Sequence, residues 1–416
     1  MEARIPLFGT EAEALPAAAG RKKDFRVCVI GGGGTGLALA YDLAQRGFGV
    51  TLLEKGELTS GTTGRHHGQL HCGARYAWSD RNIARECYSE SLVLARIAGP
   101  SIEYNGGFFI ALTEEERALE RTFIDACVES GIPAAAVEPE RLERMEPRLV
   151  RGIKSAVSVP DGSFDAFRLA MMFAAGAKRM GAEILPWHEV RGFDFSGGRL
   201  RAVKALDLRS GPGRDIRIEC DFAVSATGAW AGAVGRLAGA AVDVTPARGS
   251  MLAAEGRLVD HVISRLRPPS DGDILVPQRG LAIIGTTQKL ADSPEGILPG
   301  RDEIQFLLKA GAEMVPGFDT LPMRAAWAAA RPLAGSGEAG DSEGRALSRD
   351  FRILDHEAED GLAGFLTIIG GKATVLRAMA EKTADLICEK SEVAAECRTG
   401  RYRLPSWRDY WRGATR

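Results

Sequence analysis

The chain has few cysteines, and their spacing argues against several classes of site. Seven cysteines are spread over 416 residues, their number is odd, and no C-x-x-C pair occurs. This pattern argues against a disulfide framework, a zinc site and an iron–sulfur cluster. It fits a reducing, cytoplasmic setting. We interpret Cys72, which lies among histidines, as a small buried residue rather than a reactive thiol.

The chain also lacks a strong net charge, a long apolar run and a secretory leader. A formal net charge of -2 gives no sign of nucleic-acid binding. No apolar run is long enough to span a bilayer. Residues 1–24 carry acidic residues and no apolar core, so we interpret them as a flexible lead and not a signal peptide. The length leaves room for two domains.

A strand–turn–helix–strand pattern occupies the region that follows this lead. The apolar run Val27–Ile30 predicts a buried strand, and Leu37–Gln45 predicts a helix. A second strand is predicted over Val50–Leu53 and is followed directly by Glu54. This order is the one in which a dinucleotide is bound at the edge of a parallel sheet.

The turn between strand and helix reads G-x-G-x-x-G, and each glycine has a physical role. Gly31 permits the tight turn, Gly33 lets the backbone approach a pyrophosphate, and Gly36 lets the helix pack close to the sheet. The N–H groups at the helix N-terminus favour the pyrophosphate charge. Glu54 is placed to accept hydrogen bonds from ribose hydroxyls. The sequence therefore predicts dinucleotide binding.

The residues around the second strand indicate which dinucleotide. Glu54 disfavours a 2′-phosphate and hence NADP. The run Ser60–Gly64 is small and rich in hydroxyls, whereas a simple NAD enzyme more often continues into another helix. An ordinary polar loop is the alternative interpretation of this run. In its context, we favour FAD.

Periodicity and turn residues predict the remaining elements coarsely. Helices are predicted over 81–99, 113–130, 164–180, 301–314 and from Lys372 to near Lys390. Strands are predicted over 155–159, 182–185, 190–195, 221–228, 244–254, 272–277, 281–287 and 365–369, with a hairpin over 200–220 and a Gly/Ser-rich loop over 334–345.

These elements predict an α/β fold with two interleaved domains. The first is a Rossmann-like FAD-binding domain of the glutathione-reductase type, and the second is an antiparallel-sheet substrate or cap domain. The predicted FAD-binding domain is discontinuous and comprises residues 25–80, 150–235 and 350–392. The predicted cap comprises 81–149 and 236–349, and residues 393–416 form a basic aromatic tail.

Taken together, the motifs resemble those of the FAD-dependent glycerol-3-phosphate dehydrogenases, within the D-amino-acid oxidase/glycine oxidase superfamily. The likeness is greatest to the large subunit of the anaerobic bacterial enzyme. It covers residues 26–390 in order and rests on the stretches VIGGGGTGLALAYDLAQRG, EKGELTSGTTGRHHGQLHCGARYA, RECYSES, VPDGSFDAFRL, SATGAWAG, ARGSML, DILVP, IIGTT, ARPLAGS, ILDH and GLAGFLTIIGGKATVLRAMAEK.

The resemblance implies a set of FAD-binding residues along the whole chain. Those for the ADP and pyrophosphate are Gly31, Gly33, Gly34, Thr35, Gly36, Glu54, Lys55, Ser60, Gly61, Thr62 and Thr63. Those near the flavin are Arg65, His67, Gly68, Leu70, Gly371, Lys372, Ala373 and Thr374, with Val190 at the adenine end and Thr227 and Gly228 along the cofactor.

The resemblance also implies an anionic substrate held by Arg75, Tyr76, Arg331 and Lys372. The chemistry of arginine supports this independently, because its planar fork binds phosphate or carboxylate through two parallel hydrogen bonds. Arg331 stands in the low-polarity stretch Ala-Ala-Arg-Pro-Leu, where a charge needs a reason. For Arg75 a domain-bridging ion pair remains the alternative, and Arg377 is either a further candidate or part of a solvated helix face.

Three of the six histidines, His66, His67 and His71, lie beside the predicted cofactor loop. Oxidation of an alcohol requires a base for the hydroxyl proton, and histidine is the usual base near neutral pH. We choose His71 for this role, with Arg331 and Lys372 as the other catalytic residues. A metal site is the competing idea, but no cysteine or carboxylate pattern completes a coordination sphere, so no metal is predicted.

Two departures from the family pattern bear on the substrate and on the electron acceptor. The family commonly has Thr-Tyr before the arginine where this chain has Val375 and Leu376, so the pocket is expected to differ. The large subunit of the anaerobic enzyme continues into a cysteine-rich electron-transfer domain, whereas this sequence has only Cys388 and Cys397 in its last segment. We therefore expect an iron–sulfur relay to need a partner or to be absent. The aromatic, arginine-rich tail is a candidate for peripheral contact with the inner membrane or a partner subunit; it could equally pack on its own domain.

The sequence thus predicts an FAD-dependent dehydrogenase for a small phosphorylated polyol, with sn-glycerol 3-phosphate to dihydroxyacetone phosphate as the leading reaction. Hydride passes to flavin N5, and the electrons continue to quinone or to an electron-transfer subunit. One alternative is a dehydrogenase or oxidase for a 2-hydroxy acid or an amino acid. The other is a flavin-bound subunit that is active only with its partner.

Overall fold

The computed structural model describes residues 12–16, 25–209, 211–335 and 350–412 of the chain. Its strands are β1 (Arg26–Ile30), β2 (Gly49–Glu54), β3 (Gln69–Leu70), β4 (Ile102–Glu103), β5 (Gly107–Ala111), β6 (Ala135–Val137), β7 (Ser155–Val159), β8 (Gly162–Phe164), β9 (Glu183–Pro186), β10 (His188–Ser196), β11 (Arg199–Asp207), β12 (Arg214–Glu219), β13 (Phe222–Ser225), β14 (Val244–Glu255), β15 (Val262–Arg265), β16 (Ile274–Gln278), β17 (Leu281–Gly285), β18 (Lys289–Leu290), β19 (Met323–Ala334), β20 (Phe351–Asp355) and β21 (Phe365–Gly370).

The α-helices lie between groups of these strands and are likewise numbered along the chain. They are α1 (Gly34–Gln45), α2 (Arg81–Ile97), α3 (Glu114–Arg117), α4 (Glu120–Glu129), α5 (Pro139–Met145), α6 (Ala166–Arg179), α7 (Ala231–Ala238), α8 (Arg301–Met314), α9 (His356–Asp360) and α10 (Leu376–Lys390).

The first sheet is the parallel sheet that the glycine-rich turn predicts. Its strand order is β20–β21–β13–β1–β2–β9, and every pair is parallel except β20 with β21. Helix α1 packs on both α6 and α10, so nearly all of its residues are buried. Val27 and Val29 of β1 share a core with α1, whereas Cys28 and Ile30 pack with residues of β11 on the other face, which explains the uninterrupted apolar run in β1.

The second sheet carries the other domain. Its order is β18–β14–β17–β16–β15–β5–β7–β6, and β19 pairs along β14. Its core contains Leu252, Ile284, Leu307 and Phe318. The predicted antiparallel arrangement is confirmed for every pair in this sheet except β5 with β15, which run parallel.

Two small sheets complete the described fold. Strands β10, β11 and β12 form an antiparallel meander, which confirms the hairpin predicted over 200–220. Strands β3 and β4 both pair with β8. Because β8 occupies Gly162–Phe164, the helix predicted from residue 164 begins two residues later, at Ala166.

Two predicted domain boundaries need correction. The boundary at residue 150 is too early, because β7 follows it and pairs with β5 and β6 in the second sheet. Helix α2 is predicted to belong to the cap, but Cys87 and Leu94 of that helix lie in the core of the first domain. The helix predicted over 113–130 is divided into α3 and α4.

Strand β19 is an element that periodicity and turn residues do not predict. Its sequence is rich in alanine, the best helix former. It nevertheless pairs with β14 over almost its whole length, from Val244 opposite Ala334 to Ala254 opposite Met323. The extended pairing outweighs the weak local preference, as tertiary context commonly does. The adjoining Gly/Ser-rich loop lies outside the described residues from 336 to 349.

Both terminal regions that the structure describes pack on the first domain. Of the lead predicted as flexible, residues 12–16 are described: Leu15 is buried, and Glu13 exchanges backbone hydrogen bonds with residues 401 and 403. The tail contacts two residues of α6. Trp407 packs on Phe167, and the carbonyl of Tyr410 accepts a hydrogen bond from Lys178. No described helix is long and apolar enough to cross a membrane.

Candidate active site

One large cavity lies along the carboxyl edge of the first sheet and is also walled by the second domain. Its volume is about 970 Å³, near the upper end of the range of about 300–1,000 Å³ that is usual for small-molecule sites. Ile30 and Glu54, at the ends of β1 and β2, line one part of it. Arg331 of β19 lines another part. Ligands of open α/β sheets bind at this edge.

The glycine-rich turn gives the cavity a wall made of backbone. Gly31 has φ +110°, and a Cβ there would lie 2.6 Å from the carbonyl oxygen of Ala226. A Cβ on Gly36 would lie 2.0 Å from the carbonyl oxygen of Gly31. These distances leave no room for a side chain where the start of α1 meets the end of β1 and the residue that follows β13. Gly33 caps α1 without a side-chain bond of its own. Beyond the Gly34 N–H, which Thr63 occupies, the helix N-terminus can meet an anion.

The residues that follow β2 close over this turn. The hydroxyl of Thr63 accepts a hydrogen bond from the Gly34 N–H at 2.9 Å. The carboxylate of Glu54 accepts bonds from the N–H groups of Gly32 at 2.7 Å and Gly56 at 2.8 Å. Glu54 therefore holds the turn while it also lines the cavity.

Most of the predicted cofactor residues line this cavity. They are Gly31, Gly33, Gly34, Thr35, Glu54, Lys55, Ser60, Gly61, Thr62, Thr63, Arg65, His67, Val190, Thr227, Gly228, Gly371, Lys372 and Ala373. Four others do not line the cavity, so they can influence a ligand only through their neighbours: Gly36, Gly68, Leu70 and Thr374. Gly36 serves helix packing, and the side chain of Leu70 is buried in the first domain's core.

The donor set and the shape fit an FAD molecule. One end of the cavity offers glycine backbone, the helix N-terminus and the hydroxyls of Thr62 and Thr63. The other end contains buried polar atoms, His66 Nε2, His71 Nδ1 and Arg75 Nη1, that have no hydrogen-bond partner among the described residues. Because buried polar atoms are normally satisfied, these atoms indicate the place of a polar ligand.

Cations from distant parts of the chain meet at that second end. Arg75 lies on a 3-10 turn, Ala74–Tyr76, and its Nη2 donates to Asp273 at 3.1 Å. Lys372 precedes α10, and its Nζ lies 5.0 Å from the centre of the Tyr76 ring. Arg75 therefore lines the cavity and is also held in an ion pair with Asp273. Its neighbours Ala74 and Ala77 pack in one core with Phe109 of β5.

Arg331 is held from behind by the segment that follows β17. Its guanidinium donates to the carbonyl of Thr287 at 3.1 Å and to the side chain of Gln288 at 3.2 Å. It also donates to the hydroxyl of Thr286. Thr286 and Gln288 line the cavity and are not singled out by the sequence reasoning, although they belong to the quoted stretch IIGTT and its neighbour.

The three histidines of the loop are neutral and lie close to these cations. Burial lowers the pKa of His66 to about 4. Burial, followed by the charges of Lys372 and Arg75, lowers the pKa of His71 to about 3. Burial and then His66 and Arg331 lower the pKa of His67 well below its usual range. All three rings are therefore uncharged at neutral pH.

Hydrogen bonds assign the tautomers of two of these rings. Nδ1 of His66 accepts the Gly68 N–H at 2.9 Å, and Nδ1 of His67 accepts the Gln69 N–H at 3.1 Å. A neutral imidazole that accepts at Nδ1 carries its proton on Nε2. His66 and His67 are therefore donors through Nε2, whereas no such bond occupies Nδ1 of His71 among the described residues.

The two residues that replace the family's Thr-Tyr pair, Val375 and Leu376, differ in their surroundings. Val375 is fully buried in the core of the first domain. Leu376 lines the cavity, where a Cβ on Gly34 would lie 3.3 Å from it, so it faces the glycine-rich turn. Arg377 lies neither in the cavity wall nor on a solvated face, because it is buried in ion pairs with Glu90 and Glu381.

Further contacts join the two domains around the cavity. Glu295 accepts hydrogen bonds from Lys55 and from the indole of Trp230, and Pro294 to Leu298 line the wall. The hydroxyl of Thr62 donates to the carbonyl of Ala330 in β19. Across the described ranges, no group of three His, Cys, Asp or Glu side chains is arranged to hold a metal ion.

Comparison with known proteins shows which family and which proteins this chain is similar to. The family profile for FAD dependent oxidoreductases, DAO, matches residues 26–382. A subunit of the anaerobic glycerol-3-phosphate dehydrogenase of Haloferax volcanii is 42% identical over 397 residues, which cover 94% of this chain and 68% of that protein. A protein of Escherichia coli strain K12, named for a subunit of the same enzyme, is 40% identical over 382 residues, 91% of this chain and 70% of that protein.

The fold is shared with a solved structure of more distant sequence. The glycerol-3-phosphate dehydrogenase from Bacillus halodurans, crystallised in complex with FAD, superimposes with a TM-score of 0.70. The match has 22% sequence identity and covers 92% of this chain and 68% of that protein. This comparison confirms the predicted fold, an FAD-binding domain joined to a second sheet domain.

Proposed function

The chain belongs to the DAO family of FAD-dependent oxidoreductases, and from that premise we propose that it oxidises the secondary alcohol of a small phosphorylated polyol. The leading substrate is sn-glycerol 3-phosphate, and its product would be dihydroxyacetone phosphate. Two relatives, each about two-fifths identical, are named for this dehydrogenase. FAD, when bound, supplies the oxidant by accepting a hydride from the carbinol carbon at flavin N5.

The observation that carries this proposal is the group of cations at one end of the cavity. Arg75, Arg331 and Lys372 come from three separate segments and all line the same wall. A cleft lined by charges of one sign attracts ligands of the opposite sign. A phosphate monoester carries two acceptor edges and nearly two negative charges at neutral pH, which matches this group.

The proposed roles of the side chains follow from their chemistry. Arg331, held by Thr287 and Gln288, binds the phosphate through its planar fork. Lys372 stabilises negative charge that develops on the reacting oxygen. His66 and His67 donate from Nε2 and orient the substrate, because a ring that is already protonated at Nε2 cannot take a proton there.

His71 is the proposed base that removes the hydroxyl proton. Lys372 and Arg75 both lower its pKa, which falls to about 3. A phosphate that pairs with these two cations would offset their effect and raise the pKa of His71. Binding of the anion would thereby make the base competent, which couples recognition of the phosphate to proton transfer.

The proposal is tested by mixing the yellow, FAD-replete protein with sn-glycerol 3-phosphate without oxygen and recording the flavin absorbance. We expect rapid bleaching, and no bleaching with glycerol at the same concentration. Dithionite serves as the control that the flavin is reducible. Absence of bleaching by polyol phosphates in dithionite-reducible protein would overturn the proposal. Bleaching by a 2-hydroxy acid or an amino acid would then identify the alternative substrate class, whose carboxylate Arg331 would bind.

We also propose that a separate carrier removes the electrons, either quinone or an electron-transfer subunit. The named relatives are subunits of their enzyme, which supports a partner. Turnover is measured with a quinone, with an artificial dye and with oxygen as acceptors. Peroxide production at the full turnover rate would instead show an oxidase.

A further inference from the structure

Asp273 forms a buried hub in the second domain, behind one of the substrate-end cations. It lies at the end of the loop between β15 and β16, and its side chain is 0% exposed. Its carboxylate accepts bonds from Arg267 at 2.6 and 2.8 Å, from the N–H and hydroxyl of Ser270 at 2.6 and 2.9 Å, and from Arg75.

Arg75 lies on the turn Ala74–Tyr76, and Ala74 packs with Phe109 and Val157 of the second sheet, so the turn and Asp273 are held on the same side of the cavity. Its Nη2 is bound to Asp273 at 3.1 Å. Its Nη1 is buried and has no hydrogen-bond partner in the part of the chain that the structure describes. The guanidinium is rigid and planar, so fixing one nitrogen on Asp273 also fixes the direction in which the other points.

We infer that Asp273 is the positioning residue that aims Arg75 Nη1 at an oxyanion of the substrate, so that Arg75 and Arg331 hold one phosphate from two separate segments of the chain. The inference deepens the proposed function and rests on it for the identity of the substrate. The existence of an anion site beside Arg75 is inferred from the geometry and does not depend on the proposed function.

The charges around Asp273 favour this role over simple packing. Arg267 also lies 3.9 Å from a carboxylate oxygen of Glu116, whereas the ion pair of Arg75 is with Asp273, so the orientation of Arg75 depends on this carboxylate. Ser270, which caps the same carboxylate, itself lines the cavity. The hydrogen bonds to Asp273 therefore restrain both the loop between β15 and β16 and the guanidinium of Arg75 at the cavity wall.

The test measures binding of inorganic phosphate to the FAD-loaded protein through the change in flavin absorbance. In Asp273→Asn the charge-assisted bond to Arg75 is lost, and we expect phosphate affinity to fall at least about tenfold, in line with such bonds. The KM for the phosphorylated substrate should rise by a similar factor, with kcat changed less than about threefold and FAD content unchanged.

A double-mutant cycle distinguishes positioning from general destabilisation. In an Arg75→Met background, Asp273→Asn should weaken phosphate binding no further, because its effect passes through Arg75. Glu90→Gln is the matched control, since it removes a carboxylate from a buried arginine pair outside the cavity wall. That variant should leave phosphate affinity unchanged.

Three results would overturn the inference: no phosphate binding by the unmodified protein, unchanged affinity in Asp273→Asn, or equal losses with and without Arg75. If Asp273→Asn does not fold with FAD, Asp273→Glu keeps the charge but displaces it by one methylene, and unchanged affinity there would also overturn it. If phosphate binds and Asp273→Asn weakens it while sn-glycerol 3-phosphate fails to bleach the flavin, the inference stands and the proposed substrate falls.

Discussion

The two ends of the cavity are built by different means. The nucleotide end is made of consecutive residues, from β1 through the glycine turn to Thr63, and its contacts are mainly backbone groups. The substrate end is made of side chains from Arg75, Asp273, Arg331 and Lys372, which are far apart in sequence. Backbone recognition suits a cofactor of constant shape, whereas side chains can be exchanged to suit a substrate.

The ends also differ in their electrostatics. At the nucleotide end, favourable charge comes from a helix terminus and costs no buried side chain. At the substrate end, charged and polar side chains are desolvated, and burial together with nearby positive charge lowers the pKa values of His67 and His71. We therefore expect damage at the first end to abolish cofactor binding, and damage at the second to spare the cofactor and impair chemistry.

The largest effect is expected from Gly36→Ala at the nucleotide end. The added methyl would lie 2.0 Å from the carbonyl oxygen of Gly31, so the turn and α1 must separate. Purified protein should contain no FAD, measured by absorbance at the flavin band. Gly192→Ala is the control, since nothing lies within 4 Å of the new methyl, and it should retain FAD. Full FAD content in Gly36→Ala would contradict the assigned role of the turn.

The next effect, at the substrate end, is expected from His71→Gln. Loss of a general base typically lowers kcat by about a hundredfold to ten-thousandfold, while FAD content should stay unchanged. His66→Gln is the matched variant, because Nδ1 of His66 is already occupied by the Gly68 N–H. Its kcat should fall much less, as measured by anaerobic flavin reduction. Equal losses in both variants would show that His71 is not the base.

A smaller effect concerns stability against acid. The pKa of His66 is about 4 in the folded protein and about 6.5 in the unfolded chain. Since the unfolded state binds more protons below pH 6.5, stability falls as the pH drops from 7 to 5, by about 2 kcal/mol for one such histidine. Urea unfolding of His66→Gln at the two pH values should show a loss smaller by this amount. An identical loss in both proteins would contradict the assignment.

The smallest effect is expected where the two domains meet over the nucleotide end. Glu295 and Lys55 are both well exposed, with side chains 62% and 46% accessible, and exposed ion pairs contribute little. Glu295→Gln should speed FAD release by about twofold to fivefold, followed by flavin fluorescence after dilution. Glu255→Gln, which breaks an exposed pair with Arg324 elsewhere, should leave the rate unchanged. An unaltered rate in Glu295→Gln would show that this contact does not retain FAD.

The same contrast explains what can be predicted from sequence. The nucleotide end follows from local spacing, so β1, α1, β2 and most of the residues that line it can be named in advance. At the other end, motifs lead to Arg331 and Lys372. They assign no role to Gln288 or to Asp273, although Asp273 begins the quoted stretch DILVP, because nothing in the neighbourhoods of these two residues indicates that a remote arginine packs against them. Strand β19 is missed for a related reason, since only its partner β14 makes an alanine-rich segment extended.

The strand order of the first sheet has a consequence for synthesis of the protein on the ribosome. Strand β1 emerges early, but one of its two neighbours, β13, follows only about halfway along the chain, and β21 comes near the end. At ordinary rates of translation the wait is on the order of tens of seconds. During that time an apolar strand edge and the buried face of α1 remain uncovered. We therefore expect this edge to need protection in the nascent chain, and the cavity wall to be complete only once Lys372, which follows β21, has emerged.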